Sequence, residues 1–465
     1  MYILRDALEK VKKQEEKRGK IVMKKAALHN LGCKVNAYET EAMQEMLENA
    51  GYEIVPFKEG ADIYIINTCT VTNIADRKSR QMLHRARKMN PDAIVVAAGC
   101  YVQAQDGKGV DPCIDIVLGN NHKKDLIEIL EEYSLKRTAG AAGEEQGKES
   151  ACTISEIEDI NQTQEYESLH LTKPGDHTRA YIKVQDGCNQ FCTYCIIPYA
   201  RGRVRSREQE DVVNEVTSLA TNGYQEVVLT GIHLSSYGID HDGERHLLDL
   251  IRAVHEVDGI RRIRLGSLEP GIITEEFADA LSRLPKICPH FHLSLQSGCD
   301  ATLKRMNRRY SSDEYYEKCC ILRKYFDNPA LTTDVIVGFP GETEEEFQAS
   351  LAFVDKVDFY ETHIFKYSKR EGTKAARMEN QIDEQVKAER SAVMIELGRK
   401  KREAYERSFI GKTVEVLVEE DAVNEGKNVQ VGHTKEYIKI ALESEKNLKN
   451  TIVKVQIEND SQIIH

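Results

Sequence analysis

Short apolar runs alternate with stretches of helical period along most of the chain. Lys25–Leu31, Asp62–Asn67 and Ala93–Ala98 read as buried strands, with Glu39–Ala50 and Ala75–Met89 as the helices between them. Such alternation predicts an α/β region, an open parallel sheet faced by helices, over residues 23–135. The periodicity lapses over residues 136–176, where Gly, Ala and Glu accumulate, and a linker with at most weak local order is expected there. It resumes over residues 177–408, with strands near Ala180–Gln185, Glu226–Thr230, Arg262–Gly266, His290–Gln296, Leu331–Val337 and His363–Tyr367. Asp211–Thr221, Glu275–Leu284 and Glu344–Lys356 carry helical patterns between them, and a long charged helix, Asp383–Arg407, follows. Six strand–helix units in about 190 residues suit a partial (β/α)6 barrel, since a closed eight-strand barrel takes about 250. The tail, 409–465, turns to short β-rich runs (TVEVLVEE, YIKIALE, TIVKVQIE) that predict a small β-barrel.

At 465 residues the chain is too long for one ordinary domain. Residues 1–22 form a Lys/Glu-rich extension without the apolar core of a secretory signal. They read as a solvated helix, or as sequence upstream of a true start at Met23. No apolar run approaches the roughly 20 residues of a membrane span, so a cytoplasmic protein that does not enter membranes is expected. The net charge of −12 argues against a wholly basic surface, although a local basic patch would suffice to track phosphates. Twelve cysteines are many for a compartment where disulfides are rare, which points patterned cysteines toward metal ligation or catalysis.

Cys188, Cys192 and Cys195 form a C-x3-C-x2-C triplet directly after the first strand of the barrel region. Three thiolates on one tight loop can hold three corners of a [4Fe–4S] cluster and leave the fourth iron open to substrate. Structural zinc fits poorly, because it wants four ligands and no fourth lies at conventional spacing. The loop falls at the C-terminal end of a barrel strand, where the chemistry of such barrels sits. Other strand ends offer Gly231, His233, Ser267, Glu269, Gln296, Ser297 and Gly338 as candidate cofactor contacts, the glycines for close backbone approach. Taken singly, each fits a turn or a satisfied polar group equally well. Cys33, Cys69 and Cys100 come at or just past predicted strand ends of the first region, the edge where open α/β sheets bind ligands. They read either as a second three-cysteine site or as three buried small side chains, and their Gly, Asn and Thr neighbours favour the site. Cys113, Cys152, Cys288, Cys299, Cys319 and Cys320 lie outside any ligand pattern.

The triplet's spacing resembles that of the radical S-adenosylmethionine (SAM) superfamily. LGCKVN, NTCTV, AGC, GCNQFCTYCIIPYARGR, SLEP, HLSLQSG and VGFPGETEEEF together resemble the methylthiotransferase family, over about residues 24 to 460. The resemblance implies two [4Fe–4S] clusters, an auxiliary one on Cys33, Cys69 and Cys100 and a SAM-binding one on Cys188, Cys192 and Cys195. It also implies SAM as methyl donor and radical source, a C-terminal β-barrel of the TRAM kind, an electron donor such as flavodoxin or ferredoxin, and a sulfur source. No catalytic residue beyond the cluster ligands is assigned. GCKVNAYETE further resembles the type that acts on N6-threonylcarbamoyladenosine, in tRNAs reading ANN codons. Action on isopentenyladenosine or on a ribosomal-protein aspartate is the alternative, and a non-catalytic iron–sulfur sensor a remoter one.

Basic residues near the barrel mouth are the expected grip on tRNA. Arg201, Arg203, Arg205 and Arg207 follow the cysteine loop, and Lys304, Arg305, Arg308 and Arg309 follow the fourth strand. Reaching an adenine in a folded anticodon loop would require splaying the base out. In the acidic tail, RNA binding would need Lys412, Lys427, Lys435 and Lys439 to gather on one face.

Overall fold

The computed structural model describes residues 23–105, 111–141, 154–172, 178–424 and 426–464; the extension expected over 1–22, and Cys152, lie outside them. Strands β1 (Lys25–Asn30), β2 (Glu53–Ile54), β3 (Ile63–Thr68), β4 (Ile94–Gly99), β5 (Ile116–Leu118) and β6 (Ile154–Glu156) form a parallel sheet in the order β2-β1-β3-β4-β5-β6. β3 and β4 are buried at every residue, which is why they read as unbroken apolar runs. Alternate residues serve opposite faces: Ile63 and Ile65 pack with Met43 and Leu47, while Tyr64 and Ile66 pack with Leu83 and Ala86. The first pair of partners comes from helix Lys34–Asn49 and the second from helix Asn73–Met89.

Two expectations are corrected here. Helix Lys34–Asn49 starts well before Glu39, with Cys33 as its N-cap. Its early inward positions include Asn36 and Glu39, buried polar side chains that an apolar period cannot register. The supposed linker is also more ordered than expected in its described parts. Helix Leu126–Ala141 runs into it, β6 extends the first sheet, and Leu169 and Leu171 pack on Tyr38 and Ala42.

β7 (Arg179–Asp186), β9 (Glu226–Gly231) and β10 (Arg262–Leu265) run parallel, with β8 (Arg205–Ser206) antiparallel on the outer edge of β7. β11 (His290–His292), β12 (Ala330–Val337) and β13 (Glu361–Lys366) make a second parallel run. Single bridges, Ile263 to Ile287 and Leu268 to Leu293, join the two runs into an open barrel over one continuous apolar core. β11 is shorter than its apolar pattern predicted: beyond His292 the chain stays beside β12 through Leu293 and Gln296, but the regular ladder is lost and Gln296 sits at φ +72°.

β14 (Thr413–Asn424), β15 (Lys427–His433), β16 (Lys439–Leu442) and β17 (Ile452–Gln456) form an antiparallel sheet in the order β16-β15-β14-β17. It closes the floor of the barrel: Val416, Ile438 and Ile440 share a core with Ala330 at the start of β12 and Tyr360 just before β13. The Arg262 guanidinium adds hydrogen bonds to the His433 and Glu415 carbonyls, at 2.9 and 2.7 Å. Among the described residues no helix is long and apolar enough to cross a membrane.

Candidate functional site

At the end of β7 the chain turns on Gly187, at φ +71°. A β-carbon there would lie 1.7 Å from the Arg203 carbonyl oxygen, so only glycine fits. The turn delivers Cys188, Cys192 and Cys195 to the C-terminal mouth of the barrel. Cys188 Sγ accepts from the Gln190 amide at 3.5 Å, and Cys192 Sγ from the Arg308 guanidinium at 3.3 Å. Burial first, then the neighbouring Cys192, pushes the Cys195 thiol up to about 12; burial pushes Cys188 up to about 11. Thiolates crowded in this way need a cationic centre among them, which an iron–sulfur core supplies.

The other trio is assembled by the sheet. β1, β3 and β4 are neighbours, so the segments following them bring Cys33, Cys69 and Cys100 together at one C-terminal edge. Gly32, at φ +113°, lies so close that a β-carbon would stand 3.0 Å from Cys69 Sγ. Burial first, then Cys100 and Cys33, pushes the Cys69 thiol up to about 11. Cys100 Sγ accepts from Arg201 Nε at 3.1 Å and from Asn120 Nδ2 at 3.6 Å. Among the described residues, the sets with all ligand atoms within 4.8 Å of one another are His84–Asp111–Cys113 and His292–Asp334–His363; neither cysteine trio is among them. A lone zinc draws its thiolates to about 3.8 Å from one another, given Zn–S bonds of about 2.3 Å. Both trios therefore fit a multi-iron cube better than a single ion.

The trios meet at one cavity of about 680 Å³, lined by Cys33 on one side and by Cys188, Cys192 and Cys195 on the other. Cys69 and Cys100 lie buried behind Cys33. Of the expected cofactor contacts, Gly231, His233, Ser267, Glu269 and Gln296 line this cavity. His233 Nε2 is 2.7 Å from Glu269, whose other oxygen is 3.1 Å from Arg308, so these three form one polar chain beside the cluster loop. Burial would raise the Glu269 carboxyl, but the His233 hydrogen bond and Arg308 outweigh it and hold the carboxyl below its usual range. Ser297 and Gly338 do not reach the cavity, which corrects their assignment. The Ser297 hydroxyl accepts from the Cys299 amide at 3.3 Å. Gly338 instead gives room to helix Glu384–Arg407, where a β-carbon would meet Lys387 Cγ at 2.3 Å.

The arginine run after the cysteine loop is corrected more sharply. Arg201, Arg205 and Arg207 are 0%, 2% and 1% exposed, out of reach of any phosphate. Arg201 binds Glu39 (2.8 Å), Asp186 (3.1 Å) and Asn36 (2.6 Å) as well as Cys100. Lys183 and Lys123 reach the same Glu39 at 2.8 and 3.3 Å, so a dry ionic knot ties the first sheet to the barrel. Arg207 is taken up by Glu215, and Arg205 by the carbonyls of Arg201 and Arg203. Arg308 faces Cys192, and Arg305 is paired with Glu346. Arg203, Lys304 and Arg309 are exposed. The tail lysines do not gather into one free face: Lys427 pairs with Glu443, Lys439 with Glu420, Lys435 turns to the Pro285 carbonyl, and Lys412 lies over Phe409. Lys34, Tyr181, His292, Asp334 and His363 also line the cavity and were missed; only the neighbourhood of Cys33 marked Lys34 in advance.

Two family models match the chain: the radical SAM superfamily over residues 182–354, and an uncharacterized protein family, UPF0004, over residues 25–119. A solved radical SAM methyltransferase, TsrM from Kitasatospora setae, has a similar fold, with a TM-score of 0.53 at 20% identity over 74% of this chain and 75% of that one. An open barrel with a three-cysteine loop at its mouth thus defines a radical SAM enzyme. The threonylcarbamoyladenosine tRNA methylthiotransferase MtaB of Bacillus subtilis (strain 168) is 41% identical over 94% of both chains. MtaB of Aquifex aeolicus (strain VF5) is 39% identical over 85% of this chain and 93% of its own. The tRNA-2-methylthio-N(6)-dimethylallyladenosine synthase of Alkaliphilus oremlandii (strain OhILAs) is 36% identical over 97% and 94%. The chain belongs to the radical SAM methylthiotransferase family.

Proposed function

We propose that this enzyme places a methylthio group on carbon 2 of N6-threonylcarbamoyladenosine, next to the anticodon of tRNA. The observation that carries the reading is that one cavity is lined by Cys33 of the first trio and by all three cysteines of the second. A plain methyltransferase acting on a nucleophile would need neither a radical nor a second cluster. When bound, the two [4Fe–4S] clusters and SAM supply an electron, a hydrogen-abstracting radical, a methyl group and a sulfur atom.

The chain's own residues hold and orient. Cys188, Cys192 and Cys195 would grip the SAM-binding cluster, and Cys33, Cys69 and Cys100 the auxiliary one. Glu269, fixed by His233 and Arg308, offers an oriented carboxylate to the cationic end of SAM. Gly231 and Ser267 line the cavity beside it. Exposed Arg203, Lys304 and Arg309 remain candidates for tRNA phosphates. An electron donor such as flavodoxin or ferredoxin, a sulfur source and a cytoplasmic setting complete the reading, with ANN-decoding tRNAs as the substrate set. Relatives named for dimethylallyladenosine, at 36% identity, keep that nucleoside as the second reading. Nucleoside mass spectrometry of tRNA from cells with and without the gene tests both. Loss of 2-methylthio-threonylcarbamoyladenosine alone is expected; loss of only the isopentenyl product would overturn the substrate assignment.

A further inference from the structure

Below the cysteines the cavity continues toward the barrel floor, and its charge there is uneven. Arg179 and Arg264 line it but are already engaged: Arg264 with Glu226 at 3.0 Å and the Lys435 carbonyl at 2.9 Å, Arg179 with Glu419. Lys34 is different. It follows Cys33 directly and lines the cavity, with Arg264, Arg179, Asp334 and Glu226 as its charged surroundings. Among the described residues its ammonium has no ion pair and no hydrogen bond. Lys34 is solvent-exposed where it lines the cavity, so its ammonium is free to pair with an anionic ligand that enters there.

On the barrel side stand His292, Asp334 and His363, from the adjacent strands β11, β12 and β13. His292 Nε2 is 3.4 Å from Asp334, its Nδ1 is 3.0 Å from Thr332 Oγ1, and the His292 and His363 rings stack at 5.8 Å. The trio thus presents an acceptor and orientable ring nitrogens to the same space that Lys34 enters.

We infer that this lower part of the cavity is the subsite for the amino-acid arm of the substrate nucleoside. Lys34 pairs with its carboxylate, and the His292–Asp334–His363 trio hydrogen-bonds its hydroxyl. The inference rests on the threonylcarbamoyladenosine reading and extends it to the residues that recognise the arm. An isopentenyl arm would offer Lys34 no anion and the trio no hydroxyl while displacing water from them, which is how such a site disfavours an apolar analogue.

Three anticodon stem-loops test it on the reconstituted holoenzyme: one with the natural arm, one with the carboxylate converted to a primary amide, and one with glycine in place of threonine. Wild type should bind the acid roughly 10- to 100-fold more tightly than the amide, the range expected of a hydrogen bond to a charged group. Lys34→Gln should erase that preference, and Lys34→Arg should keep most of it. Iron content is measured on every variant, because Lys34 adjoins a proposed cluster ligand. If Lys34→Gln loses iron, His363→Leu, remote in sequence from all six cysteines, carries the test; it should lose the preference for the threonyl over the glycyl arm while still distinguishing acid from amide. Unchanged acid-over-amide preference in an iron-replete Lys34→Gln enzyme overturns the inference. So does a divalent ion retained at about one per chain in wild type and lost in His363→Leu, since the trio would then be a metal site. Wild-type product from an isopentenyl stem-loop and none from the natural arm would instead defeat the substrate reading itself.

Discussion

The two cysteine trios reach the same chemistry by opposite routes. Cys188, Cys192 and Cys195 sit within eight residues on one loop, set by a glycine turn that no other residue could make. Cys33, Cys69 and Cys100 are scattered over 68 positions and meet only because β1, β3 and β4 are neighbours in the sheet. The first trio is a local object and the second a tertiary one. The tertiary trio also depends on the barrel region, because Arg201 reaches across to donate to Cys100 while binding Glu39 and Asn36 of the first region. Loss of order between the regions should therefore damage the auxiliary trio first.

The largest effects come from removing one trio at a time. Reconstituted enzyme should hold about eight irons, and about four after Cys188→Ala, Cys192→Ala and Cys195→Ala are combined. That variant should form no 5′-deoxyadenosine from SAM and no product. Cys69→Ala breaks the other side of the comparison: it should keep reductive SAM cleavage and lose methylthiolation entirely. Methylthio product from Cys69→Ala, assayed by nucleoside mass spectrometry under conditions where wild type works, would end the division of labour between the trios.

A smaller and more selective effect is expected from Arg201→Met. The substitution keeps the volume but takes one cation out of the knot around Glu39 and Asp186, a buried change costing about 3 kcal/mol. Thermal unfolding of the anaerobic holoenzyme should shift down by about 3 °C. Iron should be lost from the auxiliary trio, while SAM cleavage, which depends on the local loop, survives longer. Equal loss of both clusters would mean that the local loop is no more self-sufficient than the scattered trio.

Legibility in the sequence follows the same division. The C-x3-C-x2-C loop was readable from spacing, because a few residues determine it. The strands of the first sheet and the barrel were readable from apolar runs, since parallel strands are buried on both faces. The scattered trio was suggested by strand ends and specified by family resemblance, because no short-range pattern encodes which strands become neighbours. Buried polar groups were the blind spot. Asn36 and Glu39 hid the start of the first helix, and Arg201, Arg205 and Arg207 look like a solvent-facing basic run. What turns them inward is the set of carboxylates at Glu39, Asp186 and Glu215, two of them outside the run's own neighbourhood in sequence.

Arg203 is the outward member of that run and gives the finest comparison. Two residues from Arg201, it is exposed and lies over the Phe191 ring at 4.6 Å beside the cysteine loop. Its backbone carbonyl, not its side chain, occupies the space that forces glycine at Gly187, so truncation to alanine leaves the loop's geometry intact. Arg203→Ala should therefore change stability by less than about 0.5 kcal/mol, as surface substitutions usually do. If its guanidinium meets a tRNA phosphate, affinity should fall a few-fold at low salt, and the slope of log affinity against log salt should lessen by about one. The measurement is a tRNA binding titration at several salt concentrations, run beside Arg201→Met. An unchanged slope would leave Lys304 and Arg309 as the exposed cations of the two runs, and the grip would have to lie on their side of the barrel mouth.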